Sequence, residues 1–320
     1  MSRVIFPTLR MAAKASGTPI ARSARVVARP IAASAARSFH SSPARLDPNP
    51  VTRPHLLPEF SLENKVVVVS GGARGLGLVQ AEALLEAGAI VHCIDRLDPP
   101  ANDPDSHFSK VQRRAREELG TTLSYHQFDV RNNEALNETM RKIADYTGRL
   151  DGLIAAAGIN YETTALEYSQ EECERMMSIN VTGCFMTAQA AARQMVRLKR
   201  PGSIAMIASM SGTIANRGMY GGAYNASKAA VIQLARNLGA EWGPYGIRVN
   251  TISPGYIMTE MLQNLFVTQP HRKDQWASEN MLGRLSLPHE FRGAGVFLIS
   301  DASSFMTGSD LRIDGGHAAW

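Results

Sequence analysis

Lys65-Val66-Val67-Val68-Val69-Ser70 is followed at once by Gly71-Gly72-Ala73-Arg74-Gly75-Leu76-Gly77, and this stretch decides the fold. Its first half is short, rich in β-branched residues and apolar, which is typical of a strand buried on both faces of a parallel sheet. The residues at 78–87 predict a helix that ends at Gly88, and those at 89–94 predict a second strand that ends in Asp95. A strand, a glycine turn, a helix, a strand and an acidic residue in this order predict a dinucleotide-binding unit.

The glycine turn suits a dinucleotide for physical reasons. Glycines let the backbone approach a pyrophosphate, and the helix that follows offers unpaired N–H groups and the positive end of its dipole. Asp95 lies 18 residues after Gly77, close to the spacing expected for a carboxylate that binds the adenosine ribose. Such a carboxylate favours NAD because it repels a 2′-phosphate, whereas Arg74 and Arg96 could pair with that phosphate and keep NADP possible.

Strand and helix patterns alternate along the rest of the chain. Further strands are predicted at 121–128, 151–158 (with its turn), 203–208, 247–252 and 310–313, and helices at 106–119, 132–146, 169–199, 221–242 and 289–299. The polar, poorly periodic residues at 258–282 are interpreted as a lid. The alternation predicts an α/β fold, a doubly wound parallel sheet (Rossmann fold), in a single domain at 61–320.

The first 46 residues differ from the rest in composition. They contain eight Lys and Arg residues and no Asp or Glu, and they are rich in Ala and Ser. This pattern predicts a mitochondrial presequence that is removed after import, followed by a proline-containing, extended lead-in at 47–60. We therefore expect the mitochondrial matrix as the location, or the cytoplasm if the basic tail is not a presequence.

The charge and composition exclude several classes of partner. Without the eight positive charges of residues 1–46 the net charge changes from +5 to −3, so the basic pI gives no reason to expect nucleic acid. No apolar run approaches the length that spans a bilayer, and no membrane partner is expected. The three cysteines (Cys93, Cys173 and Cys184) are scattered without metal-ligand spacing, which predicts free thiols and no metal.

Two further motifs carry the chemistry: Ser209-Met210-Ser211-Gly212, after an apolar strand pattern, and Tyr224-Asn225-Ala226-Ser227-Lys228. Residues four apart lie on one face of a helix, about one turn from each other. An ammonium group stabilises a neighbouring phenolate, so Lys228 would make Tyr224 usable as a general acid and base near neutral pH. Taken alone, the same pattern is also typical of an amphipathic helix with a core tyrosine and a solvated lysine.

The chain from about residue 61 to 320 resembles the short-chain dehydrogenase/reductase family. The family's motifs occur in order: the glycine turn, Asp129-Val130, Ile179-Asn180-Val181, Ser209, Tyr224 with Lys228, and Pro254-Gly255. Within the family, residues 209–216 and 223–228 resemble the fungal polyol and ketose branch, which includes D-arabinitol and mannitol dehydrogenases, sorbose reductases and L-xylulose reductases. The chain departs from the family at Ala155-Ala156-Ala157-Gly158, where Asn-Asn-Ala-Gly is usual and two amides brace the sheet, and at Ser70, where threonine is usual.

The resemblance implies a role for each of four catalytic residues: Tyr224 as general acid and base, Lys228 as its activator, Ser209 on the substrate oxygen, and Asn180 holding a water that links Lys228 to solvent. Ser209 is preferred over Ser211 because it lies directly after the strand, as in the fungal branch. The residues expected to bind the cofactor are Gly71, Arg74, Gly75, Leu76, Gly77, Asp95, Arg96, Asp129, Val130, Ala157, Gly158, Tyr224, Lys228, Pro254, Gly255, Ile257 and Thr259. Those expected to bind the substrate are Asn160, Ser209, Met210, Asn216 and Tyr224.

We therefore predict an NAD(P)-dependent oxidoreductase that interconverts a secondary alcohol and a ketone, with a polyol and a ketose of the D-arabinitol and ribulose type as the preferred small-molecule pair. Two alternatives stay open: a 3-oxoacyl-thioester reductase of mitochondrial lipid metabolism, and a nucleotide-binding scaffold without turnover. A homo-oligomer, dimer or tetramer, is expected by resemblance, with the helices at 169–199 and 221–242 as the interface.

Overall fold

The computed structural model describes residues 57–320, and of Ala101 and Met261 only the backbone. The predicted presequence and the lead-in up to residue 56 lie outside this range. Seven parallel strands in the described part form one sheet in the order β3-β2-β1-β4-β5-β6-β7. The strands are β1 (Val66–Ser70), β2 (Ile90–Asp95), β3 (Leu123–Gln127), β4 (Gly152–Ala155), β5 (Gly202–Ile207), β6 (Ile247–Pro254) and β7 (Asp310–Ile313).

Helices cover both faces of this sheet, which confirms the predicted doubly wound fold in a single domain. Between residues 57 and 320, no helix is both long and apolar enough to cross a membrane. The α-helices are α1 (Gly75–Glu86), α2 (His107–Glu117), α3 (Asn133–Thr147), α4 (Gln170–Met177), α5 (Cys184–Arg197), α6 (Gly222–Trp242), α7 (Glu260–Thr268), α8 (His271–Ser278) and α9 (Arg292–Ile299).

The apolar run of β1 supplies both hydrophobic cores. Val66 and Val68 point to a core that includes side chains of α3, α5 and α6. Val67 and Val69 point to the opposite core, formed with α1, α2 and α9. All four valines are at most 1% exposed, because successive side chains of a strand face opposite sides and both sides are covered.

The strand order reverses between β1 and β4, and this places the site. β1 pairs with β2 on one side and with β4 on the other, so the connections that leave these strands diverge. In open α/β sheets, ligands bind in the crevice at the carboxyl ends of the strands where the order reverses. The glycine turn after β1 and the residues after β4 lie at this crevice.

The segment at 258–282, interpreted from its sequence as a lid, is largely helical, and its role as a lid stays a prediction. It folds into α7 and α8, whose apolar pattern is weak because Trp276 is the buried residue of α8. The helix predicted at 169–199 is present but contains a π-helical turn at Ser178–Gly183, between α4 and α5.

Candidate active site

The glycine turn packs against its own backbone and against the residues after β4. Gly71 has a φ of 69°, and a Cβ there would lie 2.8 Å from the Ala157 nitrogen. A Cβ at Gly77 would lie 2.8 Å from the Gly71 carbonyl carbon. Gly75, by contrast, has a φ of 57° and no atom within 4 Å of an added Cβ, so the N-terminus of α1 is open to a ligand. This combination fits a pyrophosphate at the helix N-terminus.

Ser70 and the alanines after β4, where the chain departs from the family pattern, meet at this contact between the glycine turn and the end of β4. The Ala156 N–H donates to the Ser70 carbonyl at 3.1 Å, and the Ala157 N–H donates to the Ser70 hydroxyl at 3.3 Å. Ser70 therefore joins β1 to the residues after β4 through its backbone and its side chain.

Asp95 ends β2 with its carboxylate oriented by two backbone donors. Its oxygens accept from the Ala73 N–H in the glycine turn at 3.1 Å and from the Leu97 N–H at 3.2 Å. Arg74 and Arg96 are exposed, and neither guanidinium makes a hydrogen bond or an ion pair with another residue of the described part. The carboxylate and both arginines are thus available at the place where the adenosine ribose is expected.

Asp129 and Gly255, two further predicted cofactor residues, lie just after the ends of β3 and β6. Asp129 forms an ion pair with Arg131 at 2.8 Å, and this guanidinium lowers the pKa of the Asp129 carboxyl. β6 extends to Pro254, and the Gly255 N–H donates to the Ile313 carbonyl at 2.9 Å. Four others have these positions: Leu76 is half-buried, Val130 is buried, Ile257 forms a bridge with Ser286, and the Thr259 hydroxyl caps α7 by accepting from the Leu262 N–H at 3.4 Å.

Lys228 connects α6 to the ends of β4 and β5. Its Nζ donates to the carbonyl of Ile207 at 2.8 Å and lies 5.6 Å from the centre of the Tyr224 ring. A Cβ at Gly158 would lie 3.6 Å from this Nζ, so the chain after β4 passes beside the ammonium. Lys228 is 6% exposed whereas Tyr224 is half-buried, so the ammonium group lies deeper in the protein than the phenol.

Ser209 directly precedes a short helical turn, Met210–Gly212, that is seated on α6. The Ser209 hydroxyl accepts from the Ser211 N–H at 3.2 Å, and both serines are buried. A Cβ at Gly212 would lie 2.8 Å from the Lys228 carbonyl carbon, so the turn approaches α6 closely at Lys228. Met210 is 1% exposed and presents no surface to a substrate in this structure. The preference for Ser209 over Ser211 stays a prediction.

Asn180 lies in the π-helical turn and joins three parts of the site. Its Oδ1 accepts from the Ile159 N–H at 2.9 Å, and its Nδ2 donates to the Ile159 carbonyl at 2.9 Å and to the Ser227 hydroxyl at 3.0 Å. The Ser227 hydroxyl in turn donates to the Tyr224 carbonyl at 2.7 Å. Ser227 was not predicted as a site residue. It lies inside the Tyr-x-x-x-Lys motif, and a serine in a helix interior is a signal in the sequence that its hydroxyl could make hydrogen bonds to the helix backbone.

The predicted substrate residues are in different environments. Asn160 is exposed after β4, whereas Asn216 is buried. Asn216 Oδ1 accepts from Asn225 Nδ2 at 3.1 Å, and its Nδ2 approaches the Tyr256 hydroxyl at 3.5 Å. Tyr256 was also not predicted, and burial raises its pKa to about 12, so it stays a neutral hydrogen-bonding phenol.

Two features together define a nucleotide-dependent oxidoreductase. One is the dinucleotide-type glycine turn at the reversal of the strand order. The other is the group of a tyrosine, a lysine and an asparagine that are joined at the ends of β4 and β5. The chain belongs to the short-chain dehydrogenase/reductase family, which confirms the predicted resemblance. The profile of a family described as enoyl-(acyl carrier protein) reductase matches residues 71–318. The protein is therefore an NAD(P)-dependent alcohol dehydrogenase or ketone reductase.

Three particular proteins show where the chain lies within this family. A short chain dehydrogenases/reductase notP' of Aspergillus versicolor is 40% identical over 266 residues, which cover 82% of this chain and 89% of that protein. A D-arabinitol 2-dehydrogenase [ribulose-forming] of Candida tropicalis is 37% identical over 272 residues, 83% of this chain and 96% of that protein. The crystal structure of a short-chain type dehydrogenase/reductase from Mycobacterium marinum matches with a TM-score of 0.74 and 35% identity over 82% of this chain and 98% of that one. The resemblance to the fungal polyol branch is thus confirmed.

Proposed function

We propose that the protein interconverts a polyol and a ketose of the D-arabinitol and ribulose type. The observation that carries the proposal is Lys228, a buried ammonium 5.6 Å from the ring of Tyr224 and anchored at the end of β5. A scaffold that only binds nucleotide has no need of such a cation beside a phenol. The substrate class is supported by the similarity to a ribulose-forming D-arabinitol dehydrogenase.

The site residues have two kinds of role in this reaction, proton transfer and positioning. A bound nicotinamide cofactor, for which the glycine turn and Asp95 form the fitting site, supplies the hydride chemistry. Tyr224 takes the hydroxyl proton of the substrate during oxidation and returns it during reduction. Lys228 stabilises the phenolate, and Ser209 donates a hydrogen bond to the substrate oxygen, where charge develops. Asn180 fixes the residues after β4 relative to α6 and would hold a water that connects Lys228 to solvent.

We propose NAD as the preferred cofactor. The Asp95 carboxylate is oriented by the Ala73 and Leu97 amides, and it would accept hydrogen bonds from a ribose diol. A 2′-phosphate would meet this carboxylate, and the exposed Arg74 and Arg96 would have to offset that repulsion.

A substrate screen with both cofactors tests the function. D-arabinitol, ribulose and other polyols and ketoses are compared with acetoacetyl thioesters, each with NAD(H) and NADP(H), by following the absorbance of the reduced cofactor. Turnover of polyols or ketoses with NAD(H) is expected. Turnover of thioesters alone would establish the 3-oxoacyl-thioester reductase alternative, and no change with any compound would favour the scaffold.

We also propose import into the mitochondrial matrix and assembly into a dimer or tetramer. Import rests on the arginine-rich, acid-free composition of residues 1–46. Residues 1–46 fused to a fluorescent protein should direct it to mitochondria, and cytosolic fluorescence would contradict this. Assembly rests on family membership, and a monomer mass in light scattering would contradict it.

A further inference from the structure

An ion pair joins α8 to the segment after β4. Arg272 Nη1 and Nη2 each donate to one carboxylate oxygen of Glu162 at 2.7 Å. The two side chains are 12% and 26% exposed, whereas those of the ion pair Arg141–Glu138 on α3 are 51% and 44% exposed. Two parallel hydrogen bonds fix the relative orientation of the two groups, and shielding from water preserves their attraction.

The same carboxylate contacts the segment that leads into α6. Glu162 Oε1 also accepts from the Tyr220 N–H at 3.4 Å, and the Tyr220 carbonyl accepts from the Thr163 N–H at 3.0 Å. Tyr220 lies four residues before Tyr224. Glu162 thus connects the segment after β4, the start of the catalytic helix and α8.

An aromatic stack continues the connection from α8 to the end of β6 and back to α6. The Arg272 guanidinium lies 5.3 Å from the ring centre of Trp276, and Trp276 stacks on Tyr256 with centroids 4.2 Å apart and planes 4° apart. Asn216 lies between Tyr256 and Asn225, which is the neighbour of the catalytic tyrosine. The contacts that begin at Glu162 therefore meet the start of α6 at two places, at Tyr220 just before the helix and at Asn225 in its first turn.

We propose that Glu162 and Arg272 are positioning residues that hold α8, and with it the stacked Trp276 and Tyr256, against the segment after β4. They act through these aromatic side chains and not on the reacting atoms. The inference rests on the proposed function, because it assumes that the residues after β4, β5 and β6 surround the substrate. Breaking the pair then weakens substrate binding, while proton transfer at Tyr224 keeps its rate.

The experiment compares Glu162→Gln, Arg272→Met and the charge exchange Glu162→Arg with Arg272→Glu. For the best alcohol or ketone substrate of the wild type, KM should rise about tenfold in each single variant with kcat within about twofold, the split expected when binding alone is lost. The charge exchange should recover about half of the loss, since paired residues couple. Glu138→Gln, which breaks the exposed pair on α3, is the control and should leave KM within about twofold.

A second measurement does not depend on turnover. Hydrogen exchange of residues 260–278 should be faster in Glu162→Gln and Arg272→Met than in the wild type, and unchanged in the control. Unchanged KM and exchange in the single variants would overturn the proposal, as would a charge exchange that performs no better than they do. If the wild type converts no polyol or ketose, the proposed function fails, and the exchange data still decide whether the pair holds α8.

Discussion

Gly77→Ala is the perturbation whose size follows most directly from the structure. The added methyl carbon would lie against the Gly71 carbonyl group, 2.8 Å from the carbonyl carbon, whereas ordinary contacts begin near 3.4 Å. The Gly71 backbone has little room to move away from this methyl. It lies so close to the backbone of Ala157 that a Cβ on Gly71 would be 2.8 Å from the Ala157 nitrogen. Its N–H is also held by a hydrogen bond to the Ile94 carbonyl at 2.8 Å. Overpacking of this kind costs about 1–3 kcal/mol, and alanine returns up to about 1 kcal/mol through its helix propensity.

The strain falls on the glycine turn, where the cofactor is predicted to bind, so the affinity for the cofactor should fall more clearly than the stability. A loss of about 1.4 kcal/mol in binding corresponds to a tenfold higher Kd for NADH. Titration of NADH fluorescence measures this Kd, and thermal denaturation measures the Tm. Gly293→Ala in α9 is the matched control, because no atom lies within 4 Å of its added methyl, and it should leave Kd unchanged and Tm equal or slightly higher. A Gly77→Ala variant that binds NADH within about twofold of the wild type would refute the reasoning.

Three further predictions concern catalysis, cofactor choice and pH. Tyr224→Phe should lower kcat by about 10²–10⁴-fold with the cofactor Kd unchanged, and a loss of less than about tenfold would remove the tyrosine from its role. Asp95→Ala should raise the ratio of kcat/KM for NADPH over NADH at least about tenfold, because the repulsion of a 2′-phosphate is removed while both exposed arginines remain; a wild type that already prefers NADPH contradicts this. Burial, and then the neighbouring His126, lower the pKa of His92 to about 4 from its ordinary 6.5, so the unfolded chain takes up a proton that the folded chain does not. Above pH 6.5, His92 therefore does not lower the free energy of unfolding. As the pH drops from 6.5 towards 4, this free energy falls, and the loss is about 2 kcal/mol at pH 5. Urea unfolding at pH 7 and pH 5 should show this loss for the wild type and a smaller one for His92→Gln, and equal losses would rule it out.

The parts of the fold that could be predicted are those in which one local pattern decides. The valines of β1 read as a buried strand because both faces of the sheet are covered, and β7 was predicted with the bounds that it has. The spacing of Tyr224 and Lys228 placed both on α6, where the lysine ammonium lies near the ring. In each case the sequence separation is at most a few residues, so helix or strand geometry fixes the contact.

The parts that could not be predicted depend on contacts between distant segments. Glu162 and Arg272 are 110 residues apart, and Asn180 and Ser227 are 47 apart, so no periodicity relates either pair. α8 escaped prediction because its one deeply buried side chain, Trp276, is covered by residues from elsewhere and not by a repeating apolar face. The cofactor and substrate roles stay predictions, because they depend on the chemistry of a bound nicotinamide and substrate and not on a spacing in the chain.

The π-helical turn at Ser178–Gly183 has a consequence for how this region can vary. A wide turn holds about one residue more than an α-helical turn, and each helical residue rotates the chain by about 100°, so α4 and α5 are out of phase by roughly that angle. Asn180 lies in this wide turn, and its amide forms hydrogen bonds with Ile159 and Ser227. Removing a single residue between α4 and α5 would restore a regular helix and rotate one of its halves away from its neighbours. The region should accordingly accept replacements on its solvent side far more readily than a change in its length.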